Sequence, residues 1–470
     1  METPFSFKMS KRALSLLFLT FLLAFTAIQP VSAQTSGAVY IVQEGDTLYY
    51  IASRFNVTLD ALTAANPEVN PNFLSPGQRL VIPGLDFNGV LETETVGLGD
   101  SLRSLTRRTQ VPDEQLIKLN RLVSPSELYV GVSLILPVQE GQVQYDSPMS
   151  VGNGETLLEA AVRQGSDPWT LAAINKLNGT WDALPGDVLY SPSGNGGSAA
   201  GLPPAFLAAN IAPLPLVQGG TEVVRVQVRE GYTISGTLVD RPLRFFPVNG
   251  EQIALQGVHA LLETGVYPLR LEAVAPDGSR QSFEQMVLVA SGNYYSETLY
   301  VDPATIDPAV TEPENQQIYS LTSVVNSTKY WNGIFSSPAV YPDQYTSLYG
   351  TRRTYIGSNS DLTIEGFHTG LDFAGGEGLQ IFAPAPGQVV FAGLLPVRGY
   401  ATIIDHGWGV YSGFWHQSVI YVKPGDFVEQ GQVFGLVGGT GRVTGAHLHW
   451  EVWVNGVQVN PLNWLKQAYP

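Results

Sequence analysis

The 470-residue chain contains no cysteine. It therefore needs no disulfide, and any metal it binds must be held by nitrogen and oxygen donors, not thiolates. Positive charge is also scarce: 25 Lys and Arg against 41 Asp and Glu give a net charge of −16. That balance excludes a protein that works by neutralising a run of phosphates. It also excludes adhesion to an anionic surface by charge alone. A long apolar run occurs once, "ALSLLFLTFLLAFTAI", preceded by Lys8, Lys11 and Arg12 and followed by "VSA" ending at Ala33. The run is short for a membrane span, and its flanks are those of a secretory signal peptide over residues 1–33. The expected location is secreted or associated with the cell wall and envelope, with no membrane span after signal removal.

What is present in quantity is glycine (49) and proline (32), with 44% apolar residues, enough for several cores built from short elements and turns. The length corresponds to about three domains. Three stretches share one design: "VQEGDTLYYIASRF" (42–55), "VGLGDSLRSLTRRT" (96–109) and "VGNGETLLEAAVRQ" (151–164). Aligned on Gly45, Gly99 and Gly154, each has an asparagine 21 positions later (Asn66, Asn120, Asn175). A glycine follows at 32 (Gly77, Gly131, Gly186) and a proline at 38 (Pro83, Pro137, Pro192). The order reads strand, helix, helix, strand, with an acidic residue and a hydroxyl at the first helix start. The repeats occupy 38–84, 92–138 and 147–192. They resemble LysM modules, small βααβ units that bind N-acetylglucosamine-containing glycans. The second copy departs from the pattern in lacking the threonine, and the third in replacing the aspartate. For Asp46 and Thr47, helix capping and sugar contact stand side by side as readings. The resemblance implies that they line a glycan groove together with Asn66 and Pro67.

Residues 193–213, "SGNGGSAAGLPPAFLAANIAP", read as a linker. Alternating apolar and polar runs over 214–302, with "APDGSR" as a hairpin turn, predict a β-sandwich of immunoglobulin-like type. A Pro-rich stretch makes 303–325 a second linker. His259 lies in the sandwich region and reads as an ordinary structural residue.

The other five of the six histidines fall between 368 and 449. Their surroundings are strand-like and lack helical periods, so 326–470 is predicted to be mainly antiparallel β. In "HTGLD", His368 and Asp372 share a face if the segment is extended, and in "HLH" so do His447 and His449. Two imidazoles and one carboxylate form a common catalytic zinc set, but the same complement also holds iron in oxygenases.

"HTGLDF", "FWH" and "GAHLHWEV", in that order and accompanied by "SLYGTRR", "APAPGQVVFAG" and "VNPLNWL", resemble the lysostaphin-type zinc endopeptidases of the M23 family. The resemblance implies that His368, Asp372 and His449 bind Zn2+, while His416 and His447 face the substrate. No H-E-x-x-H occurs, so those two histidines would share acid–base work and oxyanion stabilisation. Which does which is not readable. "WHQSVIYV" departs from the family in the residue after His416. Glu451 lies on the face of His447 and His449, where it orients a ring N–H or is simply solvated. His406, in a hairpin turn, and Arg352 and Arg353, in a turn beside "YG", read as structural. The expected function is a peptidoglycan endopeptidase, held to glycan strands by its LysM modules and cutting peptide stems or cross-bridges. The alternative is a non-catalytic wall protein that regulates other hydrolases.

Overall fold

The computed structural model describes residues 37–85, 87, 89–124, 127–138, 145, 147–152, 154–191 and 201–470. The expected signal peptide, residues 1–33, lies outside the described residues, as does Pro192 of the third repeat. No helix among the described residues is long and apolar enough to cross a membrane. The chain divides into two compact units, Met1–Thr93 with Ile135–Gln142, and Glu94–Leu134 with Val143–Pro470.

In the first unit, strand Ala38–Ile41 pairs antiparallel with Arg79–Ile82, and helices Leu48–Phe55 and Leu59–Ala65 lie between them in sequence. The repeat glycines have a conformational reason: Gly45 and Gly77 sit at φ +85° and +83°, where a side chain is disfavoured. Asp46 closes the turn by accepting from the Gln43 N–H and the Tyr40 hydroxyl, both at 2.8 Å. Thr47 caps the first helix by accepting from the Tyr50 N–H. Leu48, Ile51, Ala52 and Phe55 then bury one face of that helix.

Asn66 requires a correction. Its side chain is buried and fully engaged, donating to Leu62 O and Val81 O and accepting from Val81 N, each at 2.8 Å. It pins the second helix to the closing strand, and its burial keeps it from facing a sugar. Asn175 makes the same three bonds, to Leu171 O, Tyr190 O and Tyr190 N. The shared asparagine thus marks a backbone staple, while Pro67 and Thr47 stay exposed.

The second unit holds the second repeat's helices, Leu102–Thr109 and Asp113–Asn120. It also holds the whole third repeat, Ser147–Ser150, Leu157–Gln164, Pro168–Ile174 and Val188–Ser191. Ser101 and Thr156 cap as Thr47 does, each within a reciprocal capping box. Buried Arg107 joins the two repeats through Val188 O and Asp187. Beyond them, a five-stranded and a four-stranded sheet close over Phe206, Val224, Leu269, Leu271 and Val287. The "GLGDS" loop of the second repeat packs on this body: Gly99 N donates to Gln285 Oε1, and Gln285 returns a bond to Asp100 O.

Three expected boundaries move. The described part of the 193–213 linker contains the strand Phe206–Ala212, paired with Thr221–Val228. Strand Ser296–Val301, assigned above to the sandwich, pairs in parallel with Arg352–Gly357 and thereby joins Thr363–Phe367. The 303–325 linker is mostly helix, Pro308–Thr322, with Asp307 as N-cap and Glu314, Ile318 and Thr322 buried. Asp-Pro serves a turn and a helix start equally well, since proline at the first helical position lacks only an N–H that has no partner there anyway. Composition therefore misled.

The C-terminal region is an antiparallel sheet in the order Tyr345–Ser347, Leu371–Phe373, Leu448–Val454, Val410–Ile420, Gly399–Gly407, Gly387–Leu395, Phe427–Val428. Its core includes sandwich residues: Phe246 stacks on Trp408 at 4.6 Å, and Trp464 donates to Thr221. Two expected placements change here. Arg352 and Arg353 are on a strand, and His406 is near a strand end and fully buried.

Candidate functional site

Strands Leu371–Phe373 and Leu448–Val454 set the centre of the site. Their register makes Asp372 and His449 direct cross-strand partners, so two residues 77 apart in sequence lie side by side. Leu448, Trp450 and Val452 point into the core, and His449 and Glu451 occupy the other face. His368 precedes the first strand after a kink at Thr369 and Gly370. A Cβ on Gly370 would lie 2.4 Å from Trp450 O and 2.6 Å from His449 Nε2, so only glycine allows this approach.

His368 Nε2, Asp372 Oδ1 and His449 Nδ1 form a triangle with edges of 3.1, 2.7 and 3.1 Å. All three residues are buried. Three donors of a tetrahedral ion with bonds of about 2.0 Å stand about 3.3 Å apart, so two edges are close to that size and the Asp372–His449 edge, itself a hydrogen bond, would have to open by about 0.6 Å. The tautomers agree. His368 Nδ1 donates to Leu348 O at 3.0 Å, with Ser347 Oγ at 3.1 Å, which leaves Nε2 bare toward the centre. His449 Nε2 faces Glu451 Oε1 at 3.3 Å, which leaves Nδ1 facing inward. Metal-binding imidazoles are held by their outer nitrogens in this way. The donor set fits a divalent cation.

Charge points the same way. Burial works against the His449 cation, but Asp372 and Glu451 raise it to about 9. Against burial, His449 and His368 hold Asp372 far below the usual carboxylate range, and His449 with its neighbours brings Glu451 to about 2. Two ionised carboxylates flank the His449 ring, which carries a proton in their field, and one negative charge is left over at the cluster.

His416 and His447 stand at the rim, 5.2 Å apart between ring centroids, with His416 6.1 Å from His449. His416 sits at φ +62°, at an irregularity of its strand where pairing shifts between Tyr400 and Thr402. That left-handed backbone costs a non-glycine residue about 1–2 kcal/mol and re-aims its ring. Its Nδ1 donates to Thr440 O at 2.8 Å, so Nε2 is free. Burial, then the His449 charge, depresses it to about 3. His447 begins just before the strand, donates Nδ1 to Gly445 O, and places Nε2 3.6 Å from Asp372 Oδ1. His406 is elsewhere, between Pro386 O and Ser412 Oγ. His259 packs edge-on to Phe367.

Glu451 accepts from Thr369 Oγ1 (2.6 Å), Trp453 Nε1 (2.8 Å) and Gln458 Nε2 (3.0 Å) besides His449. It is a fixed part of the cluster and is not solvated. Sequence reasoning missed Ser347, Thr369, Gly370 and Thr440. For Gly370 the signal was the glycine between the two candidate ligands; for the others none was available.

Residues 366–461 match the family model Peptidase family M23, and residues 40–83 and 95–137 match LysM domain. The third repeat lies outside these matches. The DD-carboxypeptidase/endopeptidase Mpg of Neisseria meningitidis is 42% identical over 96 residues, 20% of this chain and 22% of that protein. The murein hydrolase activator NlpD of Escherichia coli is 38% identical over 105 residues, 22% of this chain and 27% of that protein. Among solved structures, the catalytic domain of the M23 protein EnpA of Enterococcus faecalis is 31% identical. That likeness covers 27% of this chain and 95% of that one, with TM-score 0.23. The matched part spans about a quarter or less of the curated relatives' length. The chain carries an M23 peptidase domain together with LysM domains.

Proposed function

We propose that this chain, with its M23 peptidase domain and LysM domains, is a zinc endopeptidase of peptidoglycan. It would act outside the cytoplasm, in the cell wall or envelope, cutting stem or cross-bridge peptides while its LysM modules hold glycan strands. The observation that carries the reading is the triangle of His368, Asp372 and His449, with both outer imidazole nitrogens engaged and two further histidines, each held by its Nδ1, at its rim. Bound there, zinc would polarise a carbonyl and supply a water acidic enough to ionise near neutral pH. His416, with Nδ1 held by Thr440 O, offers a neutral Nε2 that can take a proton from water and return it to the leaving amine. His447 would steady the developing oxyanion once its Nε2 is protonated. Thr47, Asp46 and Pro67 remain the candidate glycan contacts of the first repeat. Gly99 and Asp100 of the second repeat are engaged with Gln285, which argues for a structural role there.

The relative NlpD supports a second reading, a regulator that binds wall and activates other hydrolases. The complete set of three donors and two rim histidines favours the enzyme. Full-length protein should carry about one zinc per chain and release peptide fragments from purified peptidoglycan, read by mass analysis. Asp372→Ala should abolish both without loss of wall binding. Wall binding with zinc but no fragments would favour the regulator, and stoichiometric iron would overturn the metal assignment.

A further inference from the structure

Three arginines line the cleft of about 980 Å3 that holds the histidine cluster: Arg353, Arg398 and Arg442. In a chain this acidic, three positive side chains on one cleft require an account. Two are already neutralised. Arg398 binds Glu314 Oε1 at 2.7 Å and Asn315 Oδ1 at 3.0 Å. Arg353 binds Glu297 Oε1 at 2.7 Å and Ser347 Oγ at 2.8 Å. Arg442 differs. Its Nη1 donates to the neutral Thr305 O at 2.9 Å, and its guanidinium lies 5.1 Å from the Tyr355 ring centroid. Among the described residues no carboxylate comes within 4.0 Å of it. The cleft is also lined by carboxylates: Asp372 and Glu451 belong to the histidine cluster, Asp302 accepts from Ala304 N and Glu365 from the Thr354 hydroxyl. Burial, with the charges of Arg398 and Arg353, presses against the Arg442 cation, while Tyr355 and the more distant Glu314 partly offset this.

The loop that carries Arg442 leads directly to the reacting face. Arg442 N is anchored on Val397 O, and the loop closes at the bridge between Gly438 and His447. A guanidinium set over an aromatic ring at 5.1 Å, with one side-chain hydrogen bond among its five donors, keeps donors for two-pronged binding of a carboxylate.

We propose that Arg442 is a specificity residue that receives a free carboxylate of the substrate peptide, either on a side chain beside the scissile bond or at the C-terminus. This rests on the peptidase reading above and deepens it: the preferred substrates are acidic peptides, and their amidated counterparts are poor ones.

The test uses the zinc-loaded full chain and cross-linked peptide dimers from peptidoglycan, prepared with free carboxylates, amidated on the side chain only, or amidated at the C-terminus only. Wild type should prefer the free acid in kcat/KM by about ten- to a hundredfold, the range of one charged hydrogen-bonded pair. The amidation that removes the preference identifies which carboxylate is read. Arg442→Gln should bring the acid-to-amide ratio toward one, and Arg442→Lys should retain part of it. Equal wild-type rates for all dimers would overturn the proposal. So would an Arg442→Gln variant that slows every dimer by one factor, the signature of a clasp on Thr305 alone. Binding of the same dimers to metal-free protein separates the two layers. Acid-selective binding that Arg442→Gln removes, with no cleavage of any dimer by the zinc-loaded chain, sinks the peptidase reading and leaves the carboxylate site standing.

Discussion

Glu451→Gln tests the metal reading most sharply, because it changes one charge and almost no volume. The carboxylate is buried and accepts four hydrogen bonds, from His449 and Thr369 on Oε1 and from Trp453 and Gln458 on Oε2. A glutamine has one oxygen and one NH2 to offer. If the NH2 faces Trp453, two donors meet at the place of a 2.8 Å bond, and Gln458 can turn its amide but the indole cannot. That costs about 1–3 kcal/mol of stability. If it faces His449, Nε2 must accept, and the ring proton moves to Nδ1, where the inward lone pair is needed. In both orientations the charge behind His449 is gone. Zinc affinity should fall by about 10- to 100-fold, or about 1.4–2.7 kcal/mol, measured by competition with a chelator. A Glu451→Gln protein that holds zinc as tightly as wild type and melts at the same temperature would refute the argument.

His416→Ala and His447→Ala should each retain zinc and lose about a hundred- to ten-thousandfold in turnover, whereas His449→Ala should lose metal and turnover together. Because His416 sits at φ +62°, His416→Gly should be more stable than His416→Ala by about 1 kcal/mol in denaturant unfolding, despite glycine's entropy. Asn66→Ala removes one buried and two part-buried hydrogen bonds and should lower stability of the first repeat by about 2–3 kcal/mol, while glycan pull-down below its melting point stays intact. Burial pushes His406 down to about 4, so its neutral form stabilises the fold above the unfolded value of about 6.5. That contribution, at most about 3 kcal/mol, should be lost as pH falls from about 6.5 through about 4. Unfolding curves across that range should flatten in His406→Gln, and an unchanged slope would contradict the assignment.

Much of the organisation is written locally. The glycine, asparagine and proline registration of the repeats follows from turns at positive φ, a side-chain staple and a closing strand. Thr47, Ser101 and Thr156 announce helix starts because a hydroxyl there takes an otherwise unpaired N–H. The crowding of five histidines between 368 and 449 pointed to the site, and four of them meet there, whereas His406 is buried between Pro386 O and Ser412 Oγ. Asn66 shows the limit: its recurrence was visible, but a staple and a sugar contact both need an amide there.

Other features depended on distant partners. Ser296–Val301 alternates like any sandwich strand, and nothing in its own residues names Arg352–Gly357 as its neighbour. The Asp-Pro stretch 302–308 is equally a linker until Glu314 and Ile318 find something to bury against. The left-handed backbone of His416 exists because its strand shifts register against Tyr400 and Thr402. The nitrogen that each imidazole turns inward is decided by acceptors that only folding brings up, Leu348 O for His368 and Glu451 for His449. Periods, caps and turns act over a few residues, so the chain alone determines them. The donor triangle requires Asp372 and His449 to meet across two strands 77 residues apart, and that register is set by the packing of the whole sheet.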